Sequence, residues 1–329
     1  MAPQDKAILS NGADYSLQLH PTKYPWAWDI YLKMMDNGWT PREIPMAPDV
    51  AQWRGGRVPD NLSHMFLTVF SQLTTFDHQR SVDLAERLVT MIQAPEIKHA
   101  LIKQAEQECL HSWSYQFCIE NLGLDTEEIY SRWERVPILK ARVDLANNIS
   151  EGLDPSSPAK FAAALAFWFL GFEGVWFMLN LRGPVQAMAR NGLMLATAEQ
   201  FQYIARDEEQ HIAFGTHLIR ELLIETGTPV DGEFGDVTRG YFEQVMKLEE
   251  QFIEEALQGD WVGYTKNQHV QMAKYLIDQR LRSLWLAPMY NIKTCPLPWM
   301  AEMLEIKKEK NFFETRVTEY RAGNALQWD

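Results

Sequence analysis

Apolar residues recur along most of the chain at intervals of three and four, the spacing that gathers them on one face of an α-helix. No run of strand-like alternation interrupts them. The pattern predicts long helices over about 58–92, 96–122, 126–149, 158–190, 197–225, 233–257 and 264–285. Local signals agree with these limits: Pro95 opens one helix, Asn191-Gly192 closes another, and Asp125 with Glu128, like Thr197 with Gln200, has capping-box spacing. Residues 1–25 read as an extended arm and TPREIPMAP, 40–48, as a loop. The whole is one all-α bundle, 26–306, followed by a flexible tail, 307–329, that begins with KKEK and shows no helical stripe.

Six carboxylate and imidazole residues break the apolar stripes. One stripe runs Phe201, Ile204, Glu208, His211, Gly215, Leu218, Leu222; another runs Ile97, Leu101, Gln104, Glu108, His111, Tyr115, Cys118, Leu122. A buried carboxylate is costly unless paired, hydrogen-bonded or metal-bound, so each position demands a partner. A single E-x-x-H on a helix arises often by chance, but here two lie on core faces. Glu-x-x-His from each of two helices, with one carboxylate from each of two others, is the ligand set of dinuclear sites in ferritin-like bundles. Two acids can complete it. Asp77 fills a slot in the stripe Phe66, Phe70, Leu73, Leu84, Leu88, Met91, and Glu173 is the lone acid of FAAALAFWFLGFEGVWFMLNL, 161–181. In the two hairpins Asp77 and Glu108, and Glu173 and Glu208, lie at matching depth, about 20 to 25 Å from the turn. Four converging carboxylates would repel and take up protons, whereas two divalent cations neutralise them. Oxygen-rich ligands with one imidazole per metal suit iron or manganese better than zinc or copper.

Composition narrows the remaining choices. With 329 residues, 46% hydrophobic, 12 Trp and 16 Phe, the chain can bury a large core. Its formal charge of -13 argues against nucleic acid or an anionic membrane as a partner. Three cysteines without C-x-x-C spacing indicate neither a disulfide framework nor a thiolate zinc site, and a reducing, cytoplasmic setting fits. No secretory signal is visible at the N-terminus. The segment 161–181 is long enough to cross a bilayer, but Glu173 near its middle and the amphipathic helices around it point to the centre of a bundle. His78, His99, His217 and His269 read as surface or packing residues, and Glu209 and Gln210 as solvated or interfacial.

YPWAWDIYLKMMDNGWTPREIPM, EQECLHSWSY, GFEGVWF, YIARDEEQH and NFFETRVTEY together resemble the small, radical-generating beta subunit of class I ribonucleotide reductase, over nearly the whole chain. The resemblance implies Asp77, Glu108 and His111 for one metal and Glu173, Glu208 and His211 for the other, the six positions reached above. It implies a radical on Tyr115 in a pocket lined by Phe177, Leu181 and Ile204, and a link from His111 through Asp207 to Trp39. It further implies a homodimer and a tail that docks the large catalytic subunit and carries a relay tyrosine, Tyr320. No nucleotide site is expected on this chain, and no Gly-rich phosphate motif appears.

The WAWDIY region and the tail resemble most the subgroup that has phenylalanine at the radical position and a manganese–iron pair. This chain keeps Tyr115, and has Asp77 where that subgroup has Glu. Both favour di-iron, with manganese–iron and dimanganese as alternatives. The rival function is a di-iron oxygenase or ligand-binding oxidase on the same fold. Such an enzyme oxidises its own small substrate, and needs neither Tyr115 nor a docking tail.

Overall fold

Proline in the first turn has no helical hydrogen bond to lose. It opens α1 (Pro25–Asp36), α5 (Pro95–Leu122), α7 (Pro137–Glu151) and α8 (Pro158–Ala166). The structure, a computed structural model, describes residues 7–9, 18–259 and 263–300. The tail 307–329 with Tyr320, and most of the arm 1–25, lie outside the described residues.

Four long elements surround the centre. α3 (Asp60–Asp83) continues through a π-helical stretch (Leu84–Leu88) into the short α4 (Val89–Met91) and packs along α5. α8 continues through a longer π-helical stretch (Phe167–Phe177) into α9 (Met178–Arg182). It packs along α11 (Leu195–Thr226), which also meets α5. α12 (Glu233–Ala256) and α13 (Lys266–Ser283) cover the outer side, and α2 (Ala47–Arg54), α6 (Thr126–Arg135) and α10 (Pro184–Arg190) complete the set. No β-strand occurs among the described residues. The apolar segment is the core of this bundle: every residue from Phe161 to Met188 is buried.

Several boundaries differ from those predicted. The helix expected over 126–149 is two, because Pro137 holds Val136 in an extended conformation (φ -93°, ψ 111°) that ends α6. The helix expected over 158–190 breaks at Gly183, where a Cβ would lie 2.4 Å from both the Leu179 carbonyl oxygen and the Tyr264 hydroxyl. α1 went unpredicted, and the stretch read as a loop over 40–48 contains a 3₁₀ turn (Pro41–Glu43) and the start of α2. The expected cap at Asp125 forms, accepting a hydrogen bond from the Glu128 N–H at 3.0 Å. The one expected at Thr197 does not, because α11 starts two residues earlier. Asp49 of α2 caps it instead, accepting from the N–H of Ala196 (3.1 Å) and of Thr197 (2.7 Å).

Candidate metal centre

Each of the four central elements delivers its predicted side chain to one place: Asp77 from α3, Glu108 and His111 from α5, Glu173 from the π-helical stretch, Glu208 and His211 from α11. All six are fully buried. Donor atoms of Asp77, Glu108, His111 and Glu208 lie within 4.8 Å of one another, and so do those of Glu108, Glu173, Glu208 and His211. Glu108 and Glu208 belong to both groups, as carboxylates bridging two ions would.

The histidines are turned so that Nδ1 faces the carboxylates. His111 Nδ1 lies 3.2 Å from Glu108 Oε2 and 3.3 Å from Glu208 Oε1, and His211 Nδ1 lies 3.3 Å from an oxygen of each. Their outer nitrogens have partners too: His111 Nε2 is 3.4 Å from Asp207 Oδ2, and His211 Nε2 is 3.0 Å from Gln107 Oε1. Such contacts fix a ligating imidazole's tautomer and orientation. Both Asp77 oxygens, Glu108 Oε1, Glu173 Oε2 and Glu208 Oε1 are buried without a well-aligned hydrogen bond among the described residues. Buried acceptors are rarely left so, and these five belong to the residues whose donor atoms cluster, as ligands of cations would.

The charges of the protein alone are in tension. Burial, then the Glu108 charge, pushes Asp77 well above the usual carboxylate range. Burial also pushes Glu173 up to about 8, against the opposing pull of the Arg80 guanidinium. Glu108 is held low because contacts with His111 and His211 overcome its burial. The same carboxylates overcome burial at the histidines, raising His111 well above its ordinary value and His211 to about 10.

Tyr115, one turn beyond His111, is fully buried, with its hydroxyl beside the Asp77 carboxylate. Burial, then the Asp77 charge, raises its pKa far above that of a free phenol. Phe70 and Phe201 meet its ring edge-on, with centroids at 6.1 and 5.8 Å. Phe177, Leu181 and Ile204 are buried as well. Phe70 and Phe201 were legible only as stripe positions, each two turns before a predicted ligand.

Trp39 follows α1, and its Nε1 donates to Asp207 Oδ2 at 2.7 Å. The same oxygen faces His111, so Trp39, Asp207 and His111 form one continuous link. Burial opposes the charge on Asp207, but His111 outweighs it and holds the carboxyl below its usual range. The Trp39 ring stacks on Tyr203 with centroids 5.2 Å apart.

Three groups around the cluster were given no role in the sequence reading. Arg80, one turn past Asp77, places Nε 2.5 Å from Glu173 Oε1, and Gln104 donates to the same oxygen at 2.8 Å. Gln107 is the third, as the partner of His211. Gln210, expected to be solvated or interfacial, is buried, and Glu209 pairs with Arg182 at 2.8 Å. His269 is a packing residue of the interior, 2.5 Å from Glu249 Oε1.

A helical bundle with two shared carboxylates, one further acid and one imidazole on each side defines the class: a dinuclear-metal carboxylate protein on a ferritin-like fold. Residues 16–296 match the family model described as ribonucleotide reductase, small chain, and the chain belongs to that family. A ribonucleoside-diphosphate reductase subunit beta of Chlamydia pneumoniae is 29% identical, covering 94% of this chain and 92% of that one. The small subunit of Dictyostelium discoideum is 26% identical over 94% of this chain and 88% of its own. Among solved structures, a ribonucleotide reductase R2 subunit from Clostridium botulinum superposes with TM-score 0.80 at 26% identity, covering 91% of this chain and 94% of that one. A dimanganese(II) NrdF of Streptococcus sanguinis, at 16% identity and TM-score 0.69 over 91% and 98% of the two chains, shares the fold.

Proposed function

We propose that this small chain generates the radical oxidant of a class I ribonucleoside-diphosphate reductase and passes it to a separate large subunit, where ribonucleotides become deoxyribonucleotides. Asp77, Glu108 and His111 would hold one metal ion and Glu173, Glu208 and His211 the other, with di-iron the expected pair and manganese–iron or dimanganese the alternatives. The bound metals supply the oxygen-dependent, one-electron oxidising chemistry.

The chain's own residues do the rest. Tyr115 gives up one electron and its phenolic proton and becomes a neutral radical. Phe70 and Phe201 press on its ring and exclude water, which favours a long-lived radical. Asp207 orients the His111 ring by accepting at one oxygen from both His111 and Trp39, and this hydrogen-bonded link is the route by which the oxidising equivalent would leave. Tyr320 in the tail would be the next stop, with the tail docking the large subunit. The working form would be a cytoplasmic homodimer.

The observation that carries this reading is the Trp39–Asp207–His111 link beside a sealed Tyr115. An oxygenase acting on its own small substrate has no use for a conduit leading away from its metals. The test is electron paramagnetic resonance on metal-free protein loaded with ferrous iron and exposed to oxygen. An organic radical in the wild type, absent from Tyr115→Phe, is expected. A radical that survives in Tyr115→Phe would refute its placement. No radical with iron or with manganese would return the oxygenase reading.

A further inference from the structure

We infer that the cleft between α9, α11 and α13 is a binding site for a small organic anion, a carboxylate or phosphate carried on a short apolar body, which Arg280, Arg182 and Arg220 would hold.

The cleft has a volume of about 580 Å³, within the range of small-molecule sites. Its walls are of two kinds. Met178, Ile212 and Leu276 form an apolar side, and three guanidiniums, those of Arg182, Arg220 and Arg280, share the lining with a single carboxylate, that of Glu209. His217 adds no charge at neutral pH, because burial and then the Arg220 charge lower it from its ordinary value. Positive charge thus outweighs negative here, in a chain whose formal charge is -13. Like charges gathered in a concave, partly dry site raise the local concentration of their counter-ions.

The one carboxylate is already engaged. Glu209 pairs with the buried Arg182 at 2.8 Å. Arg280 donates from Nε to the Gly174 carbonyl at 3.2 Å, and Arg220 from Nε to the Ser283 carbonyl at 2.6 Å. Among the described residues the outer nitrogens of both forks have no hydrogen-bond or ion-pair partner. Burial, against the pull of Glu209, lowers Arg280 to about 10, so its charge is poorly compensated where it stands. Shape holds it there as well, since a Cβ built on Gly174 would lie 2.9 Å from Arg280 Nε. Two forks beside an apolar wall suit an oxyanion that accepts paired N–H bonds and leaves its body on Met178, Ile212 and Leu276. Gly174, Glu209 and Ile212 each follow a residue of the metal cluster, so the bound anion rests on the backbone that carries Glu173, Glu208 and His211.

The test is calorimetric titration of the full-length, metal-loaded protein with butyrate, with butyl phosphate and, as the uncharged control, with butanol. Diffraction from crystals soaked with the tighter anion then locates it. One anion per chain is expected, with a dissociation constant of about 1 mM or below, and no measurable heat from butanol. The tighter of the two anions identifies the head group. Arg280→Met should weaken binding by at least about tenfold, and Arg280→Lys, which keeps a cation but not the fork, by less. Arg220→Gln, at a half-buried position, should weaken it too and carries the test if Arg280→Met does not fold. Arg87→Gln, outside the cleft and paired with Asp83, should change nothing. Neither anion binding below about 10 mM, butanol binding as well as the anions, an affinity unchanged in both Arg280→Met and Arg220→Gln, or an anion found only on the metal ions would overturn the inference.

Discussion

Gly215 lies one turn beyond His211 on α11, where the helix packs against Phe169 of the π-helical stretch. A Cβ built there would meet Phe169 at Cγ (2.1 Å), Cβ (2.3 Å) and Cδ1 (2.6 Å). Contact with Phe169 Cβ means that swinging the ring aside cannot clear the clash, so the helices themselves must part. The ring has little room in any case, with the Arg80 guanidinium on one contact at 4.7 Å and Phe214 on another at 5.9 Å. Overpacking of a tight core costs about 1–3 kcal/mol, while replacing a mid-helix glycine by alanine gains about 0.5–1 kcal/mol. Gly215→Ala should therefore lose on the order of 1–2 kcal/mol. Gly240 of α12 is the control: nothing lies within 4 Å of its added Cβ. Gly240→Ala should keep the helical gain and stabilise by about 0.5–1 kcal/mol. Urea unfolding of the metal-free proteins reads both, as shifts of midpoint at constant slope. A Gly215→Ala protein as stable as the wild type would refute the packing argument.

Four further outcomes are expected. Asp207→Asn should keep its metals, by elemental analysis, while deoxyribonucleotide formation with the large subunit falls by roughly 10- to 100-fold; normal turnover would remove Asp207 from the link. Deleting residues 312–329 should abolish that turnover and leave the metal content unchanged, and undiminished turnover would dispose of the docking and relay roles given to the tail. In the metal-free protein Glu173, raised to about 8, and His211, raised to about 10, both hold a proton at pH 7 that an incoming ion must displace. Metal affinity should thus rise with pH through both values, and calorimetry in buffers of different ionisation enthalpy should count protons released at pH 7; none released would contradict the charge assignment. Trp39→Phe removes the 2.7 Å hydrogen bond to Asp207 and should impair turnover as Asp207→Asn does, with Mn(II) binding unaffected.

The six clustered residues were legible because each is a polar interruption of an apolar stripe, and the matching depths of the two hairpins paired them across the bundle. The helix starts at Pro95 and Asp125 were legible for equally local reasons, whereas the starts at Pro25 and Pro137 were not read. What stayed hidden depends on distance. Arg80 is ordinary in its own helix, and only the fold brings it to Glu173, 93 residues away. Asp49 caps α11 from α2, so no capping pattern adjoins the start of that helix. The π-helical stretch over Phe167–Phe177 is apolar except for Glu173, leaving no polar face from which its wider period could be read. Trp39 was one of 12 tryptophans, chosen by resemblance alone, and the structure gives it a hydrogen-bonded place beside Asp207.

The wide turns around Glu173 bear on how relatives of this chain should be compared. A π-helical turn is an α-helix carrying an extra residue. Loss of one residue between Phe167 and Phe177 would restore the tighter winding with the faces on either side kept in place, because the wide turn absorbs its extra residue locally. A chain shorter by a single residue in this stretch would then align with its gap inside a continuous helix, not in a loop. With that gap left out, every later residue is paired with one about 100° away around the helix. Matching Glu173 to its counterpart in such a relative calls for superposed backbones, because a position-by-position alignment would pair it with a neighbour that points elsewhere.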